Sequence, residues 1–522
     1  MQGMRVMVWP DHDRNALRES LVGIGLQADG GETVQRRLLD SFDWRVWNAG
    51  AVLEHDTAPD ASWLVWRRRA TGNEPARVLG RQRSPGTPST IADVADGPVR
   101  TLLEPALEVR ALLPRAVMRL ERERFRLLDD EDKTVARVAL EHATLTGLGD
   151  TGDQDLGSRV VVTGVRGYDR ALKRLVKQLK HETGLVAEHD DINKLAFEAA
   201  GARPGNYTTK PRVTLASELP TLRAFTNICS ALLDTIEANE PGVREDIDPE
   251  FLHDFRVSIR RTRSMLSHAK GIIPDEVRER FRDEFKWIFG ISSELRDLDV
   301  YLLGFDDLVA PLPAKHRDAA GPLRDLLVEL RRDAHAQLVT ALDSARYREL
   351  IATWQAFLAA PAAGDAAVMP VRRTASDHIW KAYRDVARHG RRIDDDTPAE
   401  AIHDLRKRAK KLRYLLEAYG SMYPEDDTAA LVSELKKLQD NLGAFQDCEV
   451  QINSLRRFAE LLDRRQGGAE RAVEAIGRLI KRLTQRQHRA REKFHKRFVR
   501  FDRRKNQDRF RRLFKPIADP VS

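Results

Sequence analysis

The residues best suited to chemistry lie in two basic segments, HDFRVSIRRTRSML from His253 and HDLRKRAKKLRYLL from His403. In each segment, basic residues follow the histidine at +3, +7, +8 and +10. They are Arg256, Arg260, Arg261 and Arg263 in the first segment and Arg406, Lys410, Lys411 and Arg413 in the second. Arginine can bind phosphate through two parallel hydrogen bonds, lysine supplies a point charge, and histidine can donate to phosphate oxygens. Both segments are therefore candidates for binding phosphoanions.

The two segments belong to an internal repeat with an offset of 150 residues. Pro274 matches Pro424, Asp297 matches Asp447, and LRDLDV in the first copy corresponds to FQDCEV in the second. A register kept over this length indicates a duplicated structural unit. The predicted copies cover about 217–345 and 370–514, and we expect three or four helices per copy, forming paired bundles related by a pseudo-twofold axis.

Helical geometry separates each segment into a basic stripe and an apolar stripe. At about 100° per residue, the residues at 0, +3, +7 and +10 fall within an arc of roughly 80°. The basic stripes are His253, Arg256, Arg260 and Arg263 on one helix and His403, Arg406, Lys410 and Arg413 on the other. We expect these stripes to face each other and line one basic channel. The alternative is a pair of ordinary solvated faces, but the recurring histidines and the few carboxylates at i+4 favour an anion site. Neither histidine has a second ligand at i+4, so no metal or other cofactor is predicted.

The composition agrees with a soluble protein that binds a polyanion. The 522-residue chain is 32% charged, compared with about 25% in typical soluble domains. Its 88 Lys and Arg exceed its 80 Asp and Glu by eight, yet residues 481–515 alone hold sixteen basic and three acidic residues. This concentration predicts a polyanionic partner. Two cysteines at unrelated spacing exclude a disulfide framework and a cysteine zinc site. We expect a cytoplasmic protein without membrane contact, since no long apolar run is present.

The region before the repeat is predicted to be α+β. Short strand-like runs alternate with turns up to about residue 165, and helical periodicity covers about 168–198. In RAVMRLERERFRLL (Arg115 to Leu128) neither alternating face is purely apolar, which is typical of a strand lining a charged interior. The N-terminal domain, 1–200, is therefore predicted to be an antiparallel β tunnel or barrel. The Pro- and Gly-rich segment 201–212 is the predicted linker, and 213–515 is the predicted all-α domain.

The repeated region resembles the CHAD (conserved histidine α-helical) domain in its two histidine segments and in the LRDLDV and LGAFQD segments. The resemblance covers about 217–514. It implies two four-helix bundles around a positively charged pore that binds inorganic polyphosphate. Carried over by position, the phosphate contacts are His253, Arg256, Arg260, Arg263, His403, Arg406, Lys410 and Arg413, with Arg482 and Arg489 of the last helices as further contacts.

RRLLDSFDWRVWNAGAVLEH (Arg36 to His55) is similar to the CYTH, or triphosphate-tunnel, domain. That family carries ExExK on its first strand, where the glutamates hold a divalent metal. The matching stretch here, Arg5 to Trp9, contains neither Glu nor Lys. A tunnel without these carboxylates lacks the means to bind Mg²⁺ and activate water. Basic strand residues remain that either hold a phosphoanion or pair with carboxylates, namely Arg37, Arg67, Arg69 and Arg119.

Several functions stay open at this point. The first is non-catalytic binding of inorganic polyphosphate, and of other polyanions, by a protein of the cytoplasm or of polyphosphate granules. The second is a metal-dependent inorganic triphosphatase that uses the N-terminal tunnel. The third is nucleic-acid binding through the basic C-terminal helix, where KFHKRFVRF interleaves aromatic and basic residues. A purely structural role leaves the recurring histidines unexplained.

Overall fold

A computed structural model describes residues 4–8, 14–71, 76–147, 152–183, 185–187, 192–209, 211, 213–394, 396–464 and 470–516. The chain divides into two compact units, Met1–Thr208 and Thr209–Ser522. The division falls inside the segment predicted as the linker, of which Lys210 and Arg212 lie outside the described residues. The predicted domain limits, 1–200 and 213–515, stay a prediction.

The N-terminal unit is built on an antiparallel sheet. Its strands are β1 (Met4–Val8), β2 (Gln27–Asp40), β3 (Ala51–Ala58), β4 (Ala61–Arg68), β5 (Arg77–Arg83), β6 (Leu113–Leu128), β7 (Thr134–Thr146), β8 (Gln154–Gly164) and β9 (Val186–Ala187). They pair in the order β5-β4-β3-β2-β6-β7-β8-β1-β9. The helices of this unit are α1 (Arg14–Gly23), α2 (Arg45–Asn48), α3 (Pro98–Leu107), α4 (Asp169–Thr183) and α5 (Ile192–Ala199). The predicted antiparallel sheet is confirmed, and its closure into a tunnel stays a prediction. Trp9, the last residue of the predicted first strand, lies outside the described residues.

Strand β6 shows how the sheet changes from an apolar to a charged interior. Ala116, Met118 and Leu120 are fully buried, and alternate residues of a strand point to the same face. Two residues further along that face, Arg122 donates to Glu141 at 2.7 Å and to Glu32 at 3.0 Å. The mixed character of this strand therefore reflects a hydrophobic core that continues into an ion-pair network.

The second unit is helical. Its helices are α6 (Thr221–Arg244), α7 (Pro249–His268), α8 (Asp275–Leu303), α9 (Phe305–Val309), α10 (Ala314–Asp318), α11 (Gly321–Leu342), α12 (Ala345–Ala359), α13 (Val371–Gly390), α14 (Ala399–Tyr419), α15 (Glu425–Asp463), α16 (Glu470–Phe501) and α17 (Arg504–Phe514). The all-α prediction for this region is confirmed, and the pseudo-twofold symmetry stays a prediction. In the described residues, no helix combines the length and the apolar character that crossing a membrane requires.

Prolines at the repeat offset mark the starts of matching helices. Pro220 and Pro370 precede α6 and α13, and Pro274 and Pro424 precede α8 and α15. Proline fits a helix start because its φ is fixed near −65° and the first turn needs no N–H partner there. The two copies also contact each other at these starts. The backbone nitrogen of Thr221 donates to the Met369 carbonyl at 2.9 Å, and that of Val371 donates to the Leu219 carbonyl at 2.8 Å.

The start of α7, the helix of the first basic segment, is fixed by capping and packing. Asp248 accepts hydrogen bonds from the backbone nitrogens of Glu250 at 2.9 Å and Phe251 at 3.3 Å, and Pro249 occupies the first turn. Gly242 of α6 allows the Phe251 ring to approach, since a Cβ there would lie 2.3 Å from that ring. This end of α7 is therefore held at a defined position.

The apolar stripes of α7 and α14 are buried, as their spacing predicts. Each of the eight residues is at most 3% exposed: Leu252, Phe255, Ile259, Leu266, Ile402, Leu405, Leu412 and Leu416. Burying a side chain of this size contributes about 1.5–3 kcal/mol. The basic stripes next to them therefore project from helices that are anchored in the core.

Helix α12 follows residue 345, the predicted end of the first copy, and packs against helices of that copy. Trp354 of α12 is fully buried, and its ring centroid lies 6.3 Å from Phe225 of α6 and 4.6 Å from Phe281 of α8. The matched motifs end before α12, and the predicted limits of the two copies stay a prediction. Helix α12 belongs to the first bundle.

Candidate functional site

Arg256 lies in the middle of the first basic stripe. Its Nη1 donates to the Phe289 carbonyl at 2.9 Å and to Ser292 Oγ at 2.6 Å, and the guanidinium lies 4.2 Å from the Phe289 ring centroid. Burial lowers the pKa of Arg256 to about 10; the charge of Asp297 opposes this change and that of Arg260 adds to it. Arg256 is therefore positioned by uncharged groups on α8 and remains a cation at neutral pH.

The two stripes approach each other at Arg260 of α7 and Lys410 of α14. Burial lowers the pKa of Lys410 to about 8, the charges of Arg406 and Arg260 lower it further, and Asp447 opposes them. Arg260 also lies 5.9 Å from the ring centroid of Tyr414 on α14. In the described part of the chain, neither Arg260 nor Lys410 forms an ion pair, and Arg260 Nε is buried without a hydrogen-bond partner. Cations of both helices are thus close enough to repel each other, and the channel between them stays a prediction.

Carboxylates neutralise part of the second stripe. Arg406 Nη2 lies 3.1 Å from Asp447 Oδ1, and Arg413 Nε lies 3.4 Å from Glu417 Oε1. Glu417 also accepts a hydrogen bond at 3.0 Å from Arg261 of α7, which links the two helices. The second stripe is therefore less open to an anion than the sequence predicts, because Glu417 at i+4 and Asp447 on α15 provide internal partners.

The two histidines occupy matching positions on the stripes. His403 Nδ1 lies 2.7 Å from Gln446 Oε1 on α15, and because an amide oxygen only accepts, Nδ1 carries the hydrogen. In the neutral ring, Nε2 is then an acceptor, so only the imidazolium can donate from Nε2 to a phosphate. His253 is half-buried on α7.

The +8 positions of the two segments lie on a different face from the stripes. Arg261 is engaged by Glu417, as described above. Lys411 lines a cavity of about 1000 Å³, together with Arg408 and Lys381. The shared spacing of the segments therefore places Arg261 of α7 and Lys411 of α14 in two different environments.

Helix α16 carries the two further predicted phosphate contacts, Arg482 and Arg489. Arg482 and Arg489 are exposed, and within the described residues they form no ion pair. Their role as phosphate contacts stays a prediction. Burial raises the pKa of Cys448, the charge of Arg486 on α16 opposes this rise, and the charge of Asp447 adds to it. Arg486 follows Arg482 by one turn, and this i+4 spacing is the sequence pattern that could have pointed to it.

The basic C-terminal segment is partly neutralised within the chain. Arg509 and Arg512 pair with Asp427, the first at 3.1 Å and the second at 2.5 Å. Glu434 lies 3.4 Å from Arg500 and 3.8 Å from Arg503. Acidic residues of α15 thus form ion pairs with several of the cations that the sequence analysis predicts to be available to a polyanion.

Each basic helix faces an acidic residue at the same position of the repeat. Asp297 interacts with Arg256, and Asp447 interacts with Arg406. Burial raises the pKa of Asp297, and the charge of Arg256 opposes the rise. Both aspartates recur at the 150-residue offset, which was the signal that could have identified them as site residues.

Most of the N-terminal arginines form contacts within the protein. These arginines were candidates for phosphoanion binding. Arg67 donates to both oxygens of Glu54, at 2.6 and 3.0 Å, and Asn193 donates to the same carboxylate at 2.8 Å. Arg119 lies 3.7 Å from Glu121. These contacts support the alternative in which basic strand residues pair with carboxylates.

Arg69 and Arg37 complete this set. The guanidinium of Arg69 lies 3.7 Å from the ring centroid of Trp47, and it donates to the Trp47 carbonyl at 3.0 Å. Arg37 is half-buried on β2. Among the residues that the structure describes, no group of three or more His, Cys, Asp or Glu side chains is placed to hold a metal ion.

Comparison with known proteins identifies the helical region. The family model described as the CHAD domain matches residues 227–456. Residues 227–456 form a CHAD domain. This range contains both basic stripes, the aspartates that face them and the start of the second copy, whereas Arg482 and Arg489 lie beyond it.

The chain is also similar to individual proteins. Two uncharacterized proteins of Mycobacterium tuberculosis, MT2285 and Rv2226, are each 28% identical over 341 residues, which is 62% of this chain and 61% of theirs. The chain thus matches about three fifths of the length of these relatives. The CHAD domain structure from Ricinus communis is 25% identical, with a TM-score of 0.46, over 55% of this chain and 95% of that chain. HpAC1 from Hippeastrum, whose structure is described as revealing a dominant triphosphatase activity, is 12% identical, with a TM-score of 0.29, over 40% of this chain and 100% of that chain.

Proposed function

We propose that the CHAD domain binds inorganic polyphosphate between the basic stripes of α7 and α14, without hydrolysing it. The observation that carries the proposal is the pair Arg260 and Lys410, which come close together but form no ion pair among the described residues. Like charges in a partly buried site raise the free energy of the empty protein. A bound anion removes this cost because it supplies the missing counter-charge.

The remaining cations of the first stripe suit a chain of phosphates. Arg256 is held by Phe289 and Ser292, so little side-chain freedom is lost on binding. The guanidinium of Arg263 lies 4.9 Å from the Phe289 ring centroid, and within the described chain it has no ion pair. Each guanidinium can form two parallel hydrogen bonds with one phosphate group. A row of such cations on one helix matches a polymer that carries a negative charge on every unit.

The proposal is tested with the double variant R260Q/K410Q in the full chain. Binding of long-chain polyphosphate is measured by isothermal titration calorimetry at several salt concentrations. Losing two charge-assisted contacts should weaken binding about 100-fold at low salt, and the salt dependence should become shallower. The matched control is R324Q/R332Q, which removes two charges from exposed positions of α11 and should change affinity less than about twofold.

The same variant separates a binding role from a structural one. Because Arg260 and Lys410 repel each other, R260Q/K410Q should have a thermal midpoint equal to or above that of the wild type. Wild-type affinity in the folded double variant contradicts the proposal. Competition with single-stranded DNA distinguishes the nucleic-acid alternative, since equal displacement at equal phosphate concentration indicates general polyanion binding.

A further inference from the structure

A second basic site lies away from the two stripes, in the cavity of about 1000 Å³ that was introduced with Lys411. Helices α13 and α14 form most of its walls, and the end of α7 and helix α17 complete them. Eight of the lining residues are Lys or Arg and one, Asp385, is acidic. The basic residues are Lys270, Lys381, Arg384, Arg388, Arg391, Arg408, Lys411 and Arg511. The volume is sufficient for a small ligand, since ligand pockets commonly measure about 300–1000 Å³.

Carboxylates of the protein form ion pairs with only some of these basic residues. Asp385 pairs with Arg388 at 2.9 Å and also with Arg408. Asp502 pairs with Arg391 at 2.7 Å. Lys270, Lys381, Arg384 and Lys411 have exposed side chains and, in the described part of the chain, no ion pair. The cavity therefore keeps four cations that are available to a ligand.

Two histidines and a tryptophan complete the walls. His268 is 7% exposed, its Nδ1 donates to the Ser264 carbonyl at 2.6 Å, and its ring lies 5.6 Å from that of His378. Burial lowers the pKa of His268 to about 3, and the charge of Lys411 adds to this effect. At neutral pH the positive charge of the cavity therefore comes from Lys and Arg. Trp380 is half-buried and gives the wall an aromatic surface.

The repeat shows that this charge is not a general consequence of the bundle. At the 150-residue offset, Lys381 and Arg384 correspond to Ala231 and Asp234. Lys411 corresponds to Arg261, which Glu417 neutralises. Arg261 and Glu417 line a different cavity, of about 690 Å³, whose walls include apolar residues such as Ile228, Leu232 and Met265. In the described residues, the cations without ion pairs at Lys381, Arg384 and Lys411 therefore have no counterpart at the matching positions of the first copy.

We propose that this cavity is a separate binding site for a compact phosphoanion the size of a triphosphate. Lys381, Arg384 and Lys411 supply the charge that its phosphate groups require, and charge-assisted contacts of this kind are the strongest that side chains form with phosphate. The ligand is either a short inorganic polyphosphate or the phosphate chain of a nucleotide, whose base can stack on Trp380. The site does not depend on the stripes of α7 and α14.

The test uses the full chain and two probes, tripolyphosphate and ATP, without metal. In the R260Q/K410Q background, which disables the stripes, tripolyphosphate should still bind by isothermal titration calorimetry. Adding K381A/K411A should weaken this binding at least about tenfold. The matched control K381A/K411A alone should bind long-chain polyphosphate within about twofold of the wild type, because the stripes are intact. Both lysines are exposed and have no ion pair among the described residues, so we expect these variants to fold normally.

The two probes identify the source of the phosphate chain. Equal affinity for ATP and tripolyphosphate, unchanged by W380A, supports recognition of the phosphates alone. Tighter binding of ATP that W380A reduces to the level of tripolyphosphate supports a nucleotide. Unchanged affinity for both probes when K381A/K411A is added to a folded R260Q/K410Q variant overturns the proposal, whatever R260Q/K410Q itself does to polyphosphate binding.

Discussion

Burial and neighbouring cations lower the pKa of Lys410 to about 8, so its charge changes between pH 7 and 9.5. A phosphoanion binds the protonated lysine, so the contribution of Lys410 to affinity should be nearly complete at pH 7 and should decrease as pH rises through 8. Between pH 7 and 9.5 we expect binding of polyphosphate to weaken about tenfold. Titration calorimetry at constant ionic strength measures this change, and protons should be taken up on binding near pH 8.5.

The variant K410R is the control for this pH dependence. Arginine keeps its charge across this range, so K410R should bind with nearly constant affinity from pH 7 to 9.5. A wild-type pH profile in K410R would assign the loss of affinity to another group and contradict the assignment to Lys410.

Asp447 competes with an anionic ligand for Arg406. Its carboxylate lies 3.1 Å from Arg406 and is 63% exposed, so little desolvation protects this pair from the solvent. The variant D447N should bind polyphosphate about threefold to tenfold more tightly at low salt, and the gain should disappear at high salt. Weaker binding in D447N at every salt concentration would instead show that Asp447 positions Arg406.

At the scale of elements, periodicity predicted the helices of the site well. The apolar spacing in the segments at His253 and His403 placed Leu252, Phe255, Ile259 and their counterparts in the core, and the structure buries them. Local spacing is sufficient here because a helix face is defined by residues three and four positions apart. The same reasoning placed Arg261 and Lys411 off the stripe, although it could not show that one is paired and the other lines a cavity.

The partners of the basic residues were harder to predict because they lie far away in sequence. Asp447 is 41 residues after Arg406, and Arg256 is held by Phe289 and Ser292 of the next helix. Such contacts depend on how helices pack, which a single sequence does not specify. The cavity next to Lys411 was missed for the same reason, since its walls come from four separate helices.

The N-terminal sheet contains buried carboxylates that should make it sensitive to acid. Burial alone would raise the pKa of Glu54, but Arg36 and Arg67 lower it to about 2. Burial would also raise the pKa of Glu141, but the charges of Arg159 and Arg122 lower it to about 2. A carboxylate with a lower pKa in the folded state stabilises the protein above its unfolded pKa of about 4.3. This contribution is lost as pH falls from about 4.5 towards 2.

The expected result is a loss of unfolding free energy in the N-terminal unit, about 2 kcal/mol for each of the two carboxylates between pH 6 and pH 3. Urea unfolding followed by pulse-labelling hydrogen exchange on peptides from β2 to β8 measures this unit separately from the helices. The glutamine of E54Q does not titrate, so the unfolding free energy of the N-terminal unit in this variant should depend on pH about half as strongly as in the wild type. An equal pH dependence in E54Q and wild type would contradict the role assigned to Glu54.

At the scale of the whole molecule, the two units differ in whether their basic residues form ion pairs. In the sheet, arginines such as Arg67 and Arg122 are paired with buried glutamates, whereas Arg260 and Lys410 of the CHAD domain are not paired within the described residues. Long-chain polyphosphate at 100 times its dissociation constant should therefore stabilise the CHAD domain by about 2.7 kcal/mol and leave the sheet unchanged. Hydrogen exchange of the full chain should become slower in the helices of the CHAD domain, including α7 and α14, and stay unchanged in the sheet. No phosphate should be released with Mg²⁺ or Mn²⁺. Slower exchange in β2, β3 and β6 together with metal-dependent release of phosphate from tripolyphosphate would instead assign a triphosphatase activity to the N-terminal unit.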